Sequence, residues 1–389
     1  MGIKKSYEEI NARIRAGRAV VVTAEEVIEM TKEKGVKATA KDVDVVTTGT
    51  FGPMCSSGAF LNFGHAEPPI KMGKILLNNV NGYGGLAAVD TYIGATEPSI
   101  DRGIEYGGAH VICDLVARKA VRLKATSGGT DCYPRKEIDT YITLDDLNEA
   151  YLFNPRNCYQ NYAVAVNTSD RTLYTYMGVL KPRMGNINYS TAGELSPLLK
   201  DPHLRTIGIG TRIFLGGAPG YVAWQGTQFV TEKPRNDKGI PLAPAATLAV
   251  IGDLKKMSPA YLQPAVYEKY GTSLFVGIGI PIPVLDEDLL ANLAVENKDI
   301  HTNIVDYSVP SRSRPVLARC SYAELRSGEI TLEGKRIKTA PLTSLHKARQ
   351  IAAEVKRWVQ EGFTLQEPVA HFPKVAALNP LAIKPKGGV

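Results

Sequence analysis

Val43-Asp-Val-Val-Thr-Thr48 runs straight into Thr48-Gly-Thr-Phe-Gly-Pro-Met-Cys-Ser-Ser-Gly58. The first stretch is β-branched and apolar, which predicts a strand. The second is glycine and small polar residues and predicts a loop that continues to Gly64. A strand opening onto a glycine-rich loop is where α/β proteins place chemistry. Upstream, Ser6-Tyr-Glu-Glu9 and Thr23-Ala-Glu-Glu26 fit the capping box, in which a hydroxyl and a carboxylate satisfy free amides of a first helical turn. They predict two short helices, the second stopping near Gly35.

Downstream, residues 75–93 are short apolar runs punctuated by Asn78-Asn79, Asn81-Gly82 and Gly84-Gly85, and 110–123 suits either a strand or a short helix. The β-prone runs 162–167 and 172–179 are expected to form a hairpin through Thr168-Ser-Asp-Arg171. Two more strands are expected at 206–215 and 273–280, and helices at 144–152, 264–270 and 286–294. Towards the end, Ser321-Tyr-Ala-Glu324 is another capping box and Glu333-Gly-Lys335 the centre of a hairpin. Ser344 opens a helix to Gln360 whose buried face is Leu345, Ala348, Ile351, Ala352, Val355, Trp358 and Val359, with Gly362 ending it. The expected class is mixed α/β (α+β), with no named superfold, because neither βαβα alternation nor regular strand spacing is sustained. Residues 1–320 are expected to form a large catalytic domain, 321–375 a small hairpin-and-helix part packed on it, and 376–389 a flexible tail.

The chain has 389 residues, 44% of them hydrophobic and 22% charged. Those proportions exclude wholesale disorder, a collagen-like chain and a disulfide-stapled mini-protein. Lysine plus arginine exceeds aspartate plus glutamate by 46 − 39 = 7, a dispersed excess that suits anionic partners without implying nucleic acid. The amino terminus, MGIKKSYEEINARI, does not read as a secretory signal. Apolar residues 239–251 are cut by Pro241, Pro244 and Gly252, too short for a membrane span. A cytoplasmic protein is the expectation. Cys55, Cys113, Cys132, Cys158 and Cys320 are an odd number of cysteines, which points to reduced thiols rather than a disulfide framework.

Glycine is abundant in Gly208-Ile-Gly-Thr-Arg-Ile-Phe-Leu-Gly-Gly-Ala-Pro-Gly220, yet neither nucleotide fingerprint spacing occurs there, so tight turns explain it as well as a phosphate site does. His110-Val-Ile-Cys113 supplies two ligand types, and two ligands do not make a metal site; a satisfied core histidine and a small buried thiol are the simpler reading. Nucleophilic cysteine is the most informative option. Cys55 lies just past a predicted strand, where amides and hydroxyls can stabilise a thiolate. Cys132 lies in Ser127-Gly-Gly-Thr-Asp-Cys-Tyr-Pro-Arg135, with Arg135 and Lys136 close behind it and Asp131 opposing them.

The two cysteine loops, with Asn79-Val-Asn-Gly-Tyr-Gly-Gly85 and Gly107-Gly-Ala-His-Val111, make the chain resemble the homocysteine biosynthesis family, from the first helix to about residue 365. The resemblance implies an L-aspartate semialdehyde sulfurtransferase activity. Sulfide- or persulfide-derived sulfur would enter the aldehyde with two-electron reduction, giving L-homocysteine for methionine biosynthesis in an anaerobic setting. The family's functional cysteines fall on Cys55 and Cys132, one carrying a persulfide and the other serving as its redox partner. A disulfide between them, opened by sulfide, would load the persulfide. The resemblance also implies a ferredoxin-like iron-sulfur electron donor, so that clusters reside on a partner and no cofactor is held tightly by this chain. The carboxy-terminal CBS domains of many relatives are not expected within 389 residues.

For the substrate carboxylate the candidates are Arg135, Arg183 and Arg212, because a guanidinium holds a carboxylate bidentately. His65 and His110 are candidates for proton shuttling. A homodimer is the expected assembly, with no nucleic acid and no membrane as partners. Two alternatives stand beside this reading: a redox partner protein whose thiols bind a metal or cluster, and sulfur transfer to another small aldehyde.

Overall fold

The structure, a computed structural model, describes residues 2–384. Sheets dominate, and seven α-helices among the described residues flank them. The mixed α/β class is as expected.

Both amino-terminal capping boxes form. Ser6 opens Tyr7–Arg15 and Thr23 opens Ala24–Asp42. Gly35 interrupts the second helix with φ +80°, a backbone conformation glycine tolerates, and helical residues then resume to Asp42. Val45–Thr47 forms the expected strand, parallel to Val21–Thr23 and antiparallel to Pro281–Pro283. Asp44, buried beside it, is paired with Lys5 at 3.1 Å and Arg13 at 2.8 Å.

The carboxy-terminal helix Leu345–Gln360 lies on this small sheet and buries Ile351, Val355 and Val359 against Val21, Val45, Phe51 and Phe214. Full burial of such side chains contributes about 1.5–3 kcal/mol each. The approach is closest at Gly49, where an added Cβ would sit 2.1 Å from the Ala348 carbonyl oxygen. Trp358 packs on Phe214, ring centroids 4.9 Å apart, and donates from Nε1 to Glu354.

The largest sheet has 15 strands. Its middle runs Val121–Thr126, Lys74–Leu77, Val80–Tyr83, Asp90–Gly94, Gly58–Asn62, Glu149–Asn157, Leu248–Asp253, Ala218–Gln225, Arg212–Leu215 and Gly271–Gly279 in spatial order. A second sheet of six strands takes Val164–Val166, Ile187–Tyr189, His301–Asp306, Val316–Ser321, Glu329–Leu332 and Lys335–Pro341. The stretch 321–375 is thus shared out: its hairpin completes the six-stranded sheet, while its helix covers the three-stranded one. Among the described residues no helix is long and apolar enough to cross a membrane.

Several sequence expectations need correction. The 48–64 loop contains two strands, Thr50–Pro53 and Gly58–Asn62, because Phe51, Ala59 and Leu61 are buried in sheet pairing. Residues 144–152 are a 3₁₀ turn leading into the strand Glu149–Asn157, where Ala150 and Leu152 point inwards. The 264–270 helix is instead the edge strand Leu262–Tyr267, a place that tolerates Pro264. The 162–167 and 172–179 runs do not pair with one another. Val164–Val166 joins His301–Asp306 and Ile187–Tyr189, and Leu173–Thr175 folds back on Gly178–Leu180. The open choice at 110–123 resolves into both forms, the helix Gly108–Val116 and then a strand from Val121. Residues 376–384 have no regular structure, and 385–389 of the expected flexible tail lie outside the described residues.

Candidate functional site

A cavity of about 1010 Å³ opens where the large sheet meets the six-stranded one, and Cys55 lines it. Thr50–Pro53 pairs with Gly271–Gly279, and Met54 N–H donates to the Leu274 carbonyl. That pairing brings Ser273 opposite the thiol, and its Oγ donates to Cys55 Sγ at 3.3 Å. The turn is clamped by buried Asn154, which Ser56 Oγ reaches at 2.8 Å and which donates to Ser57 Oγ at 2.8 Å. Burial pushes the Cys55 thiol up, and the Ser273 hydrogen bond only partly opposes it.

The remaining walls carry one sign of charge. Arg156, Lys233, Arg312 and Arg314 line the cavity, and among the described residues its lining holds no carboxylate. None of the four takes part in an ion pair among the described residues. Arg156 Nε bonds Thr227 Oγ1 at 2.8 Å and Arg312 bonds Gln228 Oε1 at 2.8 Å, so both are held by neutral acceptors. Arg314 lies 3.9 Å over the Tyr307 ring, and its buried Nε has no hydrogen-bond partner among the described residues. A cavity lined in this way is suited to a small anion.

Cys132 is elsewhere. Its loop joins Val121–Thr126 to Glu137–Ile142. Thr126 is in register with Lys74, Lys74 with Tyr83, Tyr83 with Tyr92, and Tyr92 with Phe60. Beyond that row the loop meets the chain that follows Asn62: Tyr133 stacks on His65 at 5.9 Å and Ile70 bridges Arg135. Cys55 precedes Gly58, at the other end of the same strand. The two thiols thus lie at opposite ends and on strands four spacings apart, about 19 Å measured along the sheet at roughly 4.8 Å per spacing. A disulfide needs Cα atoms within about 7 Å. One chain in this conformation does not bring Cys55 and Cys132 together.

The other sequence candidates also lie outside the cavity. Arg135 spends its guanidinium on the Pro68 carbonyl at 2.8 Å and the Glu67 carbonyl at 2.5 Å. Arg183 is exposed and paired with Asp170 at 2.5 Å. Arg212 lies 3.9 Å over the Phe363 ring. His110 accepts the Gly107 N–H on Nδ1 at 3.1 Å and stacks on Tyr106, so it ties down the start of Gly108–Val116. Burial lowers its pKa. His65 packs in the Cys132 region. The residues missed, Arg156, Arg312, Arg314 and Ser273, sit in no motif; the one signal was Arg312-Ser-Arg314, a basic cluster in a polar loop. Cys158 also lines the cavity, but burial pushes its thiol up to about 12, as it does for Cys113 and Cys320. Among the described residues no group of three or more His, Cys, Asp or Glu side chains is placed to hold a metal ion.

A profile of the homocysteine biosynthesis enzymes of sulfur incorporation matches residues 19–365. The chain belongs to that family. No solved structure matches the chain. Among its relatives, the L-aspartate semialdehyde sulfurtransferase of Methanosarcina acetivorans is 55% identical over 368 residues, covering 94% of this chain and 72% of that protein. The L-aspartate semialdehyde sulfurtransferase of Methanocaldococcus jannaschii is 52% identical over 383 residues, covering 94% of this chain and 73% of its own. A protein of Methanothermobacter thermautotrophicus is 30% identical over 338 residues, covering 84% of this chain and 73% of that protein. Sulfur incorporation in homocysteine biosynthesis is the family's chemistry, and a cavity with a thiol and unpaired cations is compatible with it.

Proposed function

We propose that this chain inserts sulfur into L-aspartate semialdehyde to give L-homocysteine, with Cys55 as the sulfur carrier. The observation that carries the reading is the Cys55 thiol inside a cavity lined by four cations and, among the described residues, no carboxylate. The substrate's carboxylate suits those cations, and its aldehyde is an electrophile for sulfur.

Sulfur reaches Cys55 by exchange with a small persulfide, R′–S–SH + Cys55–SH giving R′–SH + Cys55–S–SH. The terminal sulfur adds to the aldehyde carbon. Two electrons and two protons then cleave the S–S bond, returning the Cys55 thiol and leaving a geminal hydroxythiol. Loss of water gives a thioaldehyde, which two more electrons and two protons convert to the thiol. In sum, Cys55–S–SH + RCHO + 4e⁻ + 4H⁺ gives Cys55–SH + RCH₂SH + H₂O. With free sulfide as the donor, two electrons suffice. The electron donor proposed is a ferredoxin-like iron-sulfur protein. Cys132, exposed on its loop, is assigned to exchange with a second protein rather than to a disulfide with Cys55 in the same chain.

The test is peptide-mapped mass spectrometry of anaerobic protein treated with a small persulfide, before and after aspartate semialdehyde and a low-potential reductant are added. A sulfur atom gained on Cys55 that disappears as homocysteine appears supports the reading. Homocysteine formation at the wild-type rate by Cys55→Ser would sink it.

A further inference from the structure

Three phenols from separate segments converge on one wall of the cavity. Tyr162 OH donates to Tyr176 OH at 3.3 Å, and Tyr307 OH lies 3.2 Å from it. Arg314 approaches the same oxygen with a terminal nitrogen at 3.5 Å, a loose contact, while its Nε is buried without a partner. A phenol oxygen accepting from neighbouring donors keeps its own proton free to point elsewhere. Tyr176 stands at the tip of the hairpin between Leu173–Thr175 and Gly178–Leu180, and all four side chains line the cavity that holds Cys55. The tip is fixed by Asn188, whose Nδ2 donates to the Met177 carbonyl at 2.7 Å. Tyr270 lines the same cavity as Cys55, its ring edge-on to Tyr176 with centroids 6.0 Å apart.

We propose that Tyr176 is the acid that protonates the aldehyde oxygen as sulfur adds to the carbonyl carbon, a role that rests on the sulfur-transfer reading above. In that step Cys55–S–S⁻ + RCHO + Tyr176–OH gives Cys55–S–S–CH(OH)R + Tyr176–O⁻. The C–S bond forms, the C=O π pair moves to oxygen, and that oxygen takes the phenol proton. The tyrosinate left behind is held by the Tyr162 and Tyr307 hydroxyls and by Arg314, and it recovers its proton from solvent. The environment agrees in direction: burial raises the Tyr176 phenol, but the hydrogen bonds from Tyr162 and Tyr307 and the charge of Arg314 outweigh it and leave it below its ordinary value. Tyr162 and Tyr307 are both raised by burial and stay protonated as donors. The other groups facing this oxygen are Tyr159 and Tyr270, both raised by burial.

The test compares Tyr176→Phe with wild type and Cys55→Ser, using persulfide-treated protein, aspartate semialdehyde and a low-potential reductant. Phenylalanine keeps the ring and removes only the proton. The expected result is a kcat lower by about 100-fold or more, a KM within threefold, and sulfur loading of Cys55 unchanged. A Tyr176→Phe protein within threefold of wild-type kcat overturns the proposal, while Cys55→Ser still fails. Full activity in Cys55→Ser overturns the underlying reading instead. If Tyr176→Phe also loses loading or folds poorly, 3-fluorotyrosine at position 176 decides. Its more acidic phenol should move the alkaline limb of the kcat profile to lower pH, and an unmoved limb overturns the proposal.

Discussion

Ser273 Oγ donates to Cys55 Sγ across 3.3 Å, and the two residues are brought opposite one another by the pairing of Thr50–Pro53 with Gly271–Gly279. Burial raises the thiol and this bond lowers it, so removing the hydroxyl raises it further. Less thiolate is then present at pH 7. Ser273→Ala should slow alkylation of Cys55 by iodoacetamide about three- to tenfold, the worth of one lost hydrogen bond. In wild type the Cys55 rate should keep climbing above the ordinary cysteine range near about 8.5. Peptide-resolved labelling from pH 6.5 to 10 measures both.

The register that separates Cys55 from Cys132 predicts that mild oxidation forms no bond between them within one chain. Non-reducing peptide mapping of the monomer fraction should show both cysteines unlinked to each other. A Cys55–Cys132 peptide recovered from monomer would mean that this part of the large sheet rearranges.

Among the cavity cations, Arg314 has the least satisfied guanidinium. Arg314→Met should raise the KM for the aldehyde substrate by about 10- to 100-fold, the range for losing a hydrogen bond to a charged group. Arg183→Ala removes an exposed ion pair with Asp170 and should change KM less than twofold. Steady-state kinetics on the pair separate a cavity residue from a surface one.

Gly49 meets the carboxy-terminal helix backbone to backbone. Its added Cβ would lie 2.1 Å from the Ala348 oxygen and 2.9 Å from the Ala352 nitrogen, and neither atom can move without the helix. Gly49→Ala should cost about 3 kcal/mol or more in urea unfolding. Gly334→Ala is a useful contrast: nothing lies within 4 Å, and only its φ of +76° opposes the change.

Lys200 is fully buried and donates to the carbonyls of Leu293 at 2.8 Å and Val295 at 2.7 Å. Burial lowers its pKa from 10.5 to about 7. Between those values the unfolded chain binds the extra proton, so this group's contribution to stability rises with pH, and it is lost as pH falls through about 7. Lys200→Met should be destabilised by about 1–3 kcal/mol at alkaline pH, since two buried acceptors lose their donor. The gap to wild type should narrow from pH 10 to pH 7 in urea titrations.

Local signals were legible in the sequence and partner choice was not. The capping boxes at Ser6, Thr23 and Ser321 form because both halves of each lie within four residues. The run 162–167 was recognisably β-prone, but its partners His301–Asp306 and Ile187–Tyr189 are set by the fold rather than by the adjacent turn. Glu149–Asn157 was misread in part because Leu144, Leu147 and Leu152 recur at spacings a helix also allows, and pairing with Gly58–Asn62 on one side and Leu248–Asp253 on the other decides for a strand. At the site, Cys55 was visible from its loop. Arg135 was favoured because it is close in sequence to Cys132, whereas Arg314 reaches the Cys55 cavity from more than 250 positions away.

The cavity between the two sheets also has a meaning in time. Cys55 leaves the ribosome long before Ser273, Tyr307 and Arg314 have been polymerised, and the cavity lining runs on to Leu342 and Leu378. An unfinished chain therefore carries the thiol without the hydroxyl and the cations that surround it in the finished fold. The cavity around the thiol is closed only when the last third of the polypeptide has folded back over the first.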